Sequence, residues 1–271
     1  MPPELSVVGS VNLDFVVRCE RLPRAGETLT DATFARHPGG KGANQAVAAA
    51  RLGANVRFAG NIGDDEVAQE AVSGLLGAGV EGSFDVGGET GIAFIVVDGA
   101  GETQIVVAPG ANSRPVTRQL GGNVLSQLEI PVESVQAAAE AADRFFLNAA
   151  PAKPIPAELV RAADVVVVNR YELDALPETP RLTALTLGAE GAVLLEDGTE
   201  VARAQPPRVQ ALDGTAAGDA FTACLVVTRL QGRAWEEALE RACAAGAIAA
   251  SREGAQPSLP TAAEVDAMLG R

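Results

Sequence analysis

Residues 213–230, DGTAAGDAFTACLVVTRL, open on a turn of small residues and run without a break into an apolar helix, read as Ala216–Leu230. Small residues leave backbone N–H groups unshielded, and a helix N-terminus with free donors attracts anions. Asp219, an acid in the same turn, opposes a phosphate by like charge. The pairing makes chemical sense if Asp219 takes a proton from an attacking hydroxyl while the N–H groups steady a transferred phosphoryl group. The residues alone also allow a simpler reading, in which Asp213 or Thr215 caps the helix and Asp219 is a surface acid favoured by the dipole.

Outward from this stretch, apolar β-branched runs alternate with alanine-rich ones. Leu5–Val8, Val56–Ala59, Arg144–Leu147, Asp164–Val168, Leu182–Leu187 and Ala192–Glu196 read as strands. Ala43–Leu52, Glu66–Leu76, Val132–Ala142 and Ala234–Ala250 read as helices, the first closed by Gly53. Strand followed by helix, repeated, predicts an α/β fold with a mostly parallel sheet covered by helices on both faces. Three pieces break the rhythm: about 11–18, about 27–37, and a hairpin within 91–108 whose turn is Asp98–Gly101. They are expected to form a small antiparallel β appendage, discontinuous in sequence, on a single domain spanning 1–271.

Three further motifs carry polar chemistry. Gly39-Gly40-Lys41-Gly42-Ala43-Asn44-Gln45 feeds a helix start; it is neither a phosphate loop nor a dinucleotide fingerprint, because Ala35 and Gly42 break the first and the third glycine of the second is missing. Its glycines let a ligand approach backbone, and Asn44 suits a sugar hydroxyl as donor and acceptor. A plain helix-entry turn is the competing reading. Asn169-Arg170-Tyr171-Glu172 follows a strand, where open α/β sheets bind ligands, and Glu172 suits Mg²⁺ held through water. An ordinary helix-start acid explains it equally. Asp14, after the first strand, is able to accept from two sugar hydroxyls.

The formal net charge of −14 repels nucleic-acid backbones. Cys19, Cys224 and Cys243 are scattered and His37 is the sole histidine, so neither a disulfide framework nor structural zinc is expected. The N-terminus shows no signal-peptide pattern and no apolar run approaches a membrane span. A cytoplasmic protein fits these features.

Taken together and in order, GSVNLD (9–14), GGKGANQAVAAARLGAN (39–55), TGIAFIVV (90–97), QLEIPVESV (127–135), NRYELDAL (169–176), TLGAEGAVL (186–194), RVQALDGTAAGDAF (208–221) and SREGAQPSLP (251–260) resemble the ribokinase subgroup of the ribokinase/PfkB-type carbohydrate kinases. The resemblance spans nearly the whole chain. It implies ATP-dependent phosphorylation of D-ribose at O5, with Asp219 as base and the N–H groups of Ala216, Ala217 and Gly218 as anion hole. Asn12, Asp14, Gly40, Lys41, Gly42, Asn44 and Glu129 would hold the sugar, Lys41 also offsetting phosphate charge. Asn169, Thr186, Gly188, Gly191, Gly218 and Cys243 would border ATP, and Glu172 would hold Mg²⁺ through water. Asp213, Thr215, Ala249, Arg252, Gly254 and Ser258 match the family's K⁺ site. The β appendage resembles the family's lid, often a homodimer interface. A kinase for another sugar or a nucleoside, and a non-catalytic sugar-binding protein, are the alternatives. The chain departs from the pattern in having no room for a full helix and strand between Glu172 and Thr186, and in a shortened helix between Asn112 and Gln127.

Overall fold

The computed structural model describes residues 1–101 and 103–271. Glu102, inside the expected 91–108 stretch, lies outside the described residues. The chain opens with β1 (Glu4–Val8), β2 (Asn12–Arg18), β3 (Thr33–Gly39), α1 (Lys41–Arg51), β4 (Asn55–Ile62), α2 (Ala68–Gly77) and β5 (Glu81–Val86). The hairpin β6 (Gly91–Val97) and β7 (Thr103–Ala108) follows, then β8 (Gly122–Gln127), α3 (Val132–Ala141), β9 (Ala142–Asn148), α4 (Ala157–Ala162) and β10 (Val165–Asn169). Last come α5 (Arg170–Asp174), β11 (Leu182–Thr186), β12 (Ala192–Glu196), β13 (Thr199–Ala204), α6 (Ala217–Leu230), α7 (Trp235–Ala250) and α8 (Ala262–Met268).

Nine strands form one sheet in the order β13-β12-β11-β10-β9-β8-β1-β4-β5. Pairing is parallel from β11 through to β5. Only the β11-β12-β13 end is antiparallel. Side chains alternate between two cores, as a strand buried on both faces requires. Val165 and Val167 join Val47, Leu225 and Leu239 under α1, α6 and α7. Val166 and Val168 join Val135, Leu159 and Val160 under α3 and α4. Each such Val or Leu removed from water contributes about 1.5–3 kcal/mol.

The chain lays β1, β4 and β5 outward in one direction, then returns to place β8 on the other side of β1. That reversal opens a crevice at the strand ends between β1 and β8, where open parallel sheets bind ligands.

A second sheet has the order β3-β2-β6-β7. Its outer pairs are antiparallel, as the sequence suggests. Its central pair, β2 with β6, runs parallel, in register from Asn12↔Gly91 to Arg18↔Val97. Those strands lie far apart in the chain, so no local turn signal marks their direction. The third strand starts at Thr33, not near Glu27, and carries Pro38 on the sheet edge, where a missing N–H costs little. One face of this sheet holds Val16, Ala93, Ile95 and Val97 in a small core. The opposite face exposes Phe34, Phe94 and Val106, with the Phe15 ring tilted against those of Phe34 and Phe94.

Both expected shortenings are present. Only α5 and the loop 175–181 separate β10 from β11, and only a 3-10 turn, Gly110–Ser113, lies between β7 and β8. Among the described residues no helix is long and apolar enough to cross a membrane.

Candidate active site

The site assembles at the β1/β8 crevice. Ser10, just past β1, donates its hydroxyl to Glu129 Oε2 at 2.6 Å, just past β8. The same carboxylate oxygen accepts the Lys41 N–H at 2.9 Å. Ser10 Oγ also accepts the Gly42 N–H at 3.2 Å. These bonds tie the glycine-rich turn to both strand ends. Glu129, expected against the sugar, thus anchors the turn that faces it.

Two glycines here have a physical reason. Gly40, at the N-cap of α1, has φ +88°, which an L side chain rarely adopts. A Cβ on Gly42 would stand 2.5 Å from Ser10 N, so only glycine lets the helix approach β1 this closely. Alanine-rich α1 then runs to Arg51 and stops with Gly53 at φ +92°.

Asp219 lies in the first turn of α6 and is 5% exposed. Asn44 Nδ2 donates to its Oδ2 and Gln45 Nε2 to its Oδ1, both at 2.9 Å. Burial raises its pKa, opposed by the Lys41 charge and by the Asn44 and Gln45 donors. Burial also works against the Lys41 ammonium, but Asp219, Glu129 and Glu172 outweigh it and raise its pKa. Lys41 therefore stays charged among three carboxylates.

Ahead of α6, Ala216 adopts φ +60°, the left-handed region. For an alanine this costs about 1–2 kcal/mol and marks a backbone turned for a purpose. Of the three expected anion-hole donors, the Ala217 N–H is engaged by Gly214 O at 3.2 Å. Among the described residues the N–H groups of Ala216 and Gly218 have no partner.

On β2, Asn12 and Asp14 are both buried. Asn12 Oδ1 is held by Asn112 Nδ2 at 2.8 Å. Among the described residues no hydrogen bond supports the Asp14 carboxyl; burial, then the charges of Glu129 and Asp219, push its pKa from 3.8 to about 7. Asn44 Oδ1 is likewise buried without a partner. The orphaned Asn44 oxygen and the unbonded Asp14 carboxyl leave room for ligand hydroxyls to satisfy them.

Beyond the α6 turn lies a cavity of about 680 Å³. Its wall includes Thr186, Gly188, Gly191, Gly218 and Cys243, as expected from the sequence. Burial pushes the Cys243 thiol up to about 12, so it lines the wall as a neutral, apolar group. Arg208, Val209 and Phe221, at the two ends of the 208–221 stretch, also line it, though the sequence assigns them no role. Asn169 is not on this wall. Its side chain accepts from Glu172 N while Glu172 accepts from Asn169 N, a reciprocal capping box on α5. Glu172 nonetheless faces the site: burial raises its pKa, and Lys41 and Asp219 both act on it.

Asp213 is buried and already paired. Its Oδ2 accepts from Arg18 at 2.5 Å and from Gly254 N at 3.0 Å, and its Oδ1 accepts from Thr215 N at 2.9 Å. Burial opposes its charge, but these donors and the Arg18 guanidinium hold its pKa below the usual carboxylate value. Arg18 was not singled out in the sequence, since its partner lies 195 positions away.

Comparison with known proteins places this geometry. The family model described as pfkB family carbohydrate kinase matches residues 3–262. A ribokinase of Haemophilus influenzae is 36% identical over 300 residues, covering 97% of each chain. A ribokinase of Bacillus subtilis is 34% identical, covering 98% of this chain and 99% of that one. Among solved structures, Arabidopsis thaliana ribokinase complexed with ribose and ATP superposes with a TM-score of 0.84 at 30% identity, covering 100% of both chains.

Proposed function

The chain belongs to the pfkB family of carbohydrate kinases, and we propose that it is a ribokinase, moving the γ-phosphoryl group of ATP to O5 of D-ribose. The observation that carries the sugar half is the orphaned acceptor Asn44 Oδ1, beside Asp219 and near the unbonded Asp14 carboxyl. A polyol satisfies both with its hydroxyls. Asn12 and the backbone of Gly40 to Gly42 complete the sugar's surroundings.

In this reading Asp219 takes the proton of the 5-hydroxyl as its oxygen attacks the γ-phosphorus. The bond from that phosphorus to the β–γ bridging oxygen breaks and ADP leaves. The free N–H groups of Ala216 and Gly218 face the phosphoryl oxygens, and the Lys41 charge offsets theirs. The nucleotide occupies the 680 Å³ cavity beside this turn, between Thr186, Gly188, Gly191 and Cys243. Asn169 acts on it only by fixing Glu172.

Mg²⁺, when bound with ATP, neutralises phosphate charge; Glu172 fits it, having one carboxylate oxygen outside the capping box. The Asp213 site fits a monovalent cation such as K⁺, because it already holds a stand-in positive charge, the Arg18 guanidinium. Oxygens of Thr215, Ala249, Arg252, Gly254 and Ser258 would complete that set once Arg18 withdraws.

The four-stranded sheet serves as a lid on a single domain spanning 1–271, and a second copy of the chain covers its apolar outer face. A cytoplasmic location accords with three free cysteines. The test is ADP release across a sugar panel. Ribose should turn over at least tenfold faster than fructose at equal concentration; equal rates would overturn the ribose assignment.

A further inference from the structure

Beneath Asp219 lies a run of buried amides that the phosphoryl-transfer reading does not use. Gln45, on α1, is fully buried. Its Nε2 donates to Asp219 Oδ1 at 2.9 Å and to Asn148 Oδ1 at 2.8 Å. Its Oε1 accepts from Gln127 Nε2 at 2.6 Å. Asn148, at the end of β9, donates its Nδ2 to Val167 O on β10 at 3.0 Å.

The polarity of this run follows from one fixed group. A backbone carbonyl only accepts, so Val167 O requires Asn148 to present Nδ2. Asn148 Oδ1 must then face Gln45, which forces Gln45 to present Nε2. Gln127 completes the amide by donating to Gln45 Oε1; its own oxygen has no partner among the described residues, so it follows the orientation of Gln45 and does not set it. Turning the Gln45 amide over would set its oxygen against two acceptors, Asp219 Oδ1 and Asn148 Oδ1. The direction of the bond reaching Asp219 is thus dictated by the main sheet.

We propose that Gln45 is a positioning residue for Asp219, holding one carboxylate oxygen through a proton-donor chain set by Val167 O. Asn44 holds the other oxygen and also faces the sugar, so Gln45 is the holder with no ligand contact of its own. An apolar wall in place of Gln45 leaves Asp219 with the same burial and one fewer donor. Such a carboxylate gains a proton more readily and swings more freely. The inference rests on Asp219 being the base.

Gln45→Met keeps length and volume while removing the donor, and Gln45→Glu keeps the shape while setting a second carboxyl against Asp219. The other charged groups acting around Asp219 are Lys41, Glu129, Asp14 and Glu172, and both variants leave them in place. The assay is the pH profile of kcat and kcat/KM for ribose with saturating MgATP. Gln45→Met should move the acid limb about one pH unit alkaline and lower plateau kcat about tenfold, with KM for ribose changed less than about threefold. Gln45→Glu should move the limb further, because two carboxyls in contact share a proton. Gln127→Met, which removes only the donor to Gln45 Oε1 and so loosens Gln45, should shift it in the same direction by less, and serves if Gln45→Met does not fold. A Gln45→Met or Gln127→Met enzyme that folds and keeps the wild-type limb overturns the proposal, whatever its loss of stability. If Asp219→Asn retains wild-type turnover, the base assignment itself is at fault.

Discussion

Asp14→Asn should make the ligand-free protein more stable, and more so as pH rises. The folded Asp14 carboxyl titrates at about 7 against 3.8 for an aspartate free in water. Between those values the folded chain holds a proton that the unfolded chain has lost. Stability from the protonated acid is therefore complete below about pH 4 and is lost as pH climbs to about 7. The difference, about 7 less 3.8, is about 3 units. At about 1.4 kcal/mol per unit, ionising Asp14 costs the fold up to about 4 kcal/mol at pH 8. Asparagine removes that cost at nearly the same volume. Urea unfolding should show Asp14→Asn ahead of wild type by about 2–4 kcal/mol at pH 8 and by under about 1 kcal/mol at pH 4.5. Ribose affinity should fall in the same variant, since an amide replaces a charged double acceptor. A variant less stable than wild type at pH 8, or a gain that does not grow with pH, would refute the claim that Asp14 is an unsatisfied buried acid held for a ligand.

Other outcomes follow from the same geometry. Gly42→Ala sets a Cβ 2.5 Å from Ser10 N; thermal melts should show a loss of about 1–3 kcal/mol, with KM for ribose raised. Arg18→Gln frees Asp213 from its resident cation; K⁺ should then stimulate turnover at lower concentration than in wild type, and an unchanged K⁺ titration would argue against the Asp213 site. Phe94→Asp places a charge on the exposed apolar face of the four-stranded sheet; sedimentation should show the proposed dimer lost with little change in melting temperature, and unchanged sedimentation would argue against that interface.

The α/β alternation was legible because both faces of the main sheet are buried, which produces continuous apolar runs such as Val165–Val168. Strands outside that rule escaped. β8 sits in the middle of the sheet yet ends in Ser126 and Gln127, since its last residues serve the polar network. β5 and β13 lie at the sheet's two edges and carry Glu, Asp, Thr and Arg. The short helices α4, α5 and α8 are too brief for periodicity to register.

In the site, residues with local motifs were found: Asp219 in its glycine-rich turn, Asn44 after Gly42, and Asp14 after β1. The contacts that hold them were not. Gln45 meets Asp219 across 174 positions and Arg18 meets Asp213 across 195, distances over which a sequence carries no spacing signal. Asn169 shows the opposite case. Its motif was visible, but the side chain spends itself on a helix cap, a role the pattern Asn-x-x-Glu equally describes.

The central claim is that Asp219 removes a proton from a ribose hydroxyl beside a 680 Å³ nucleotide cavity. It is tested most directly by ADP release from ribose and MgATP in Asp219→Asn, which keeps the side chain's shape and one acceptor oxygen while removing the base. Turnover should fall at least about 100-fold with ribose still bound; turnover within a few-fold of wild type would contradict the account.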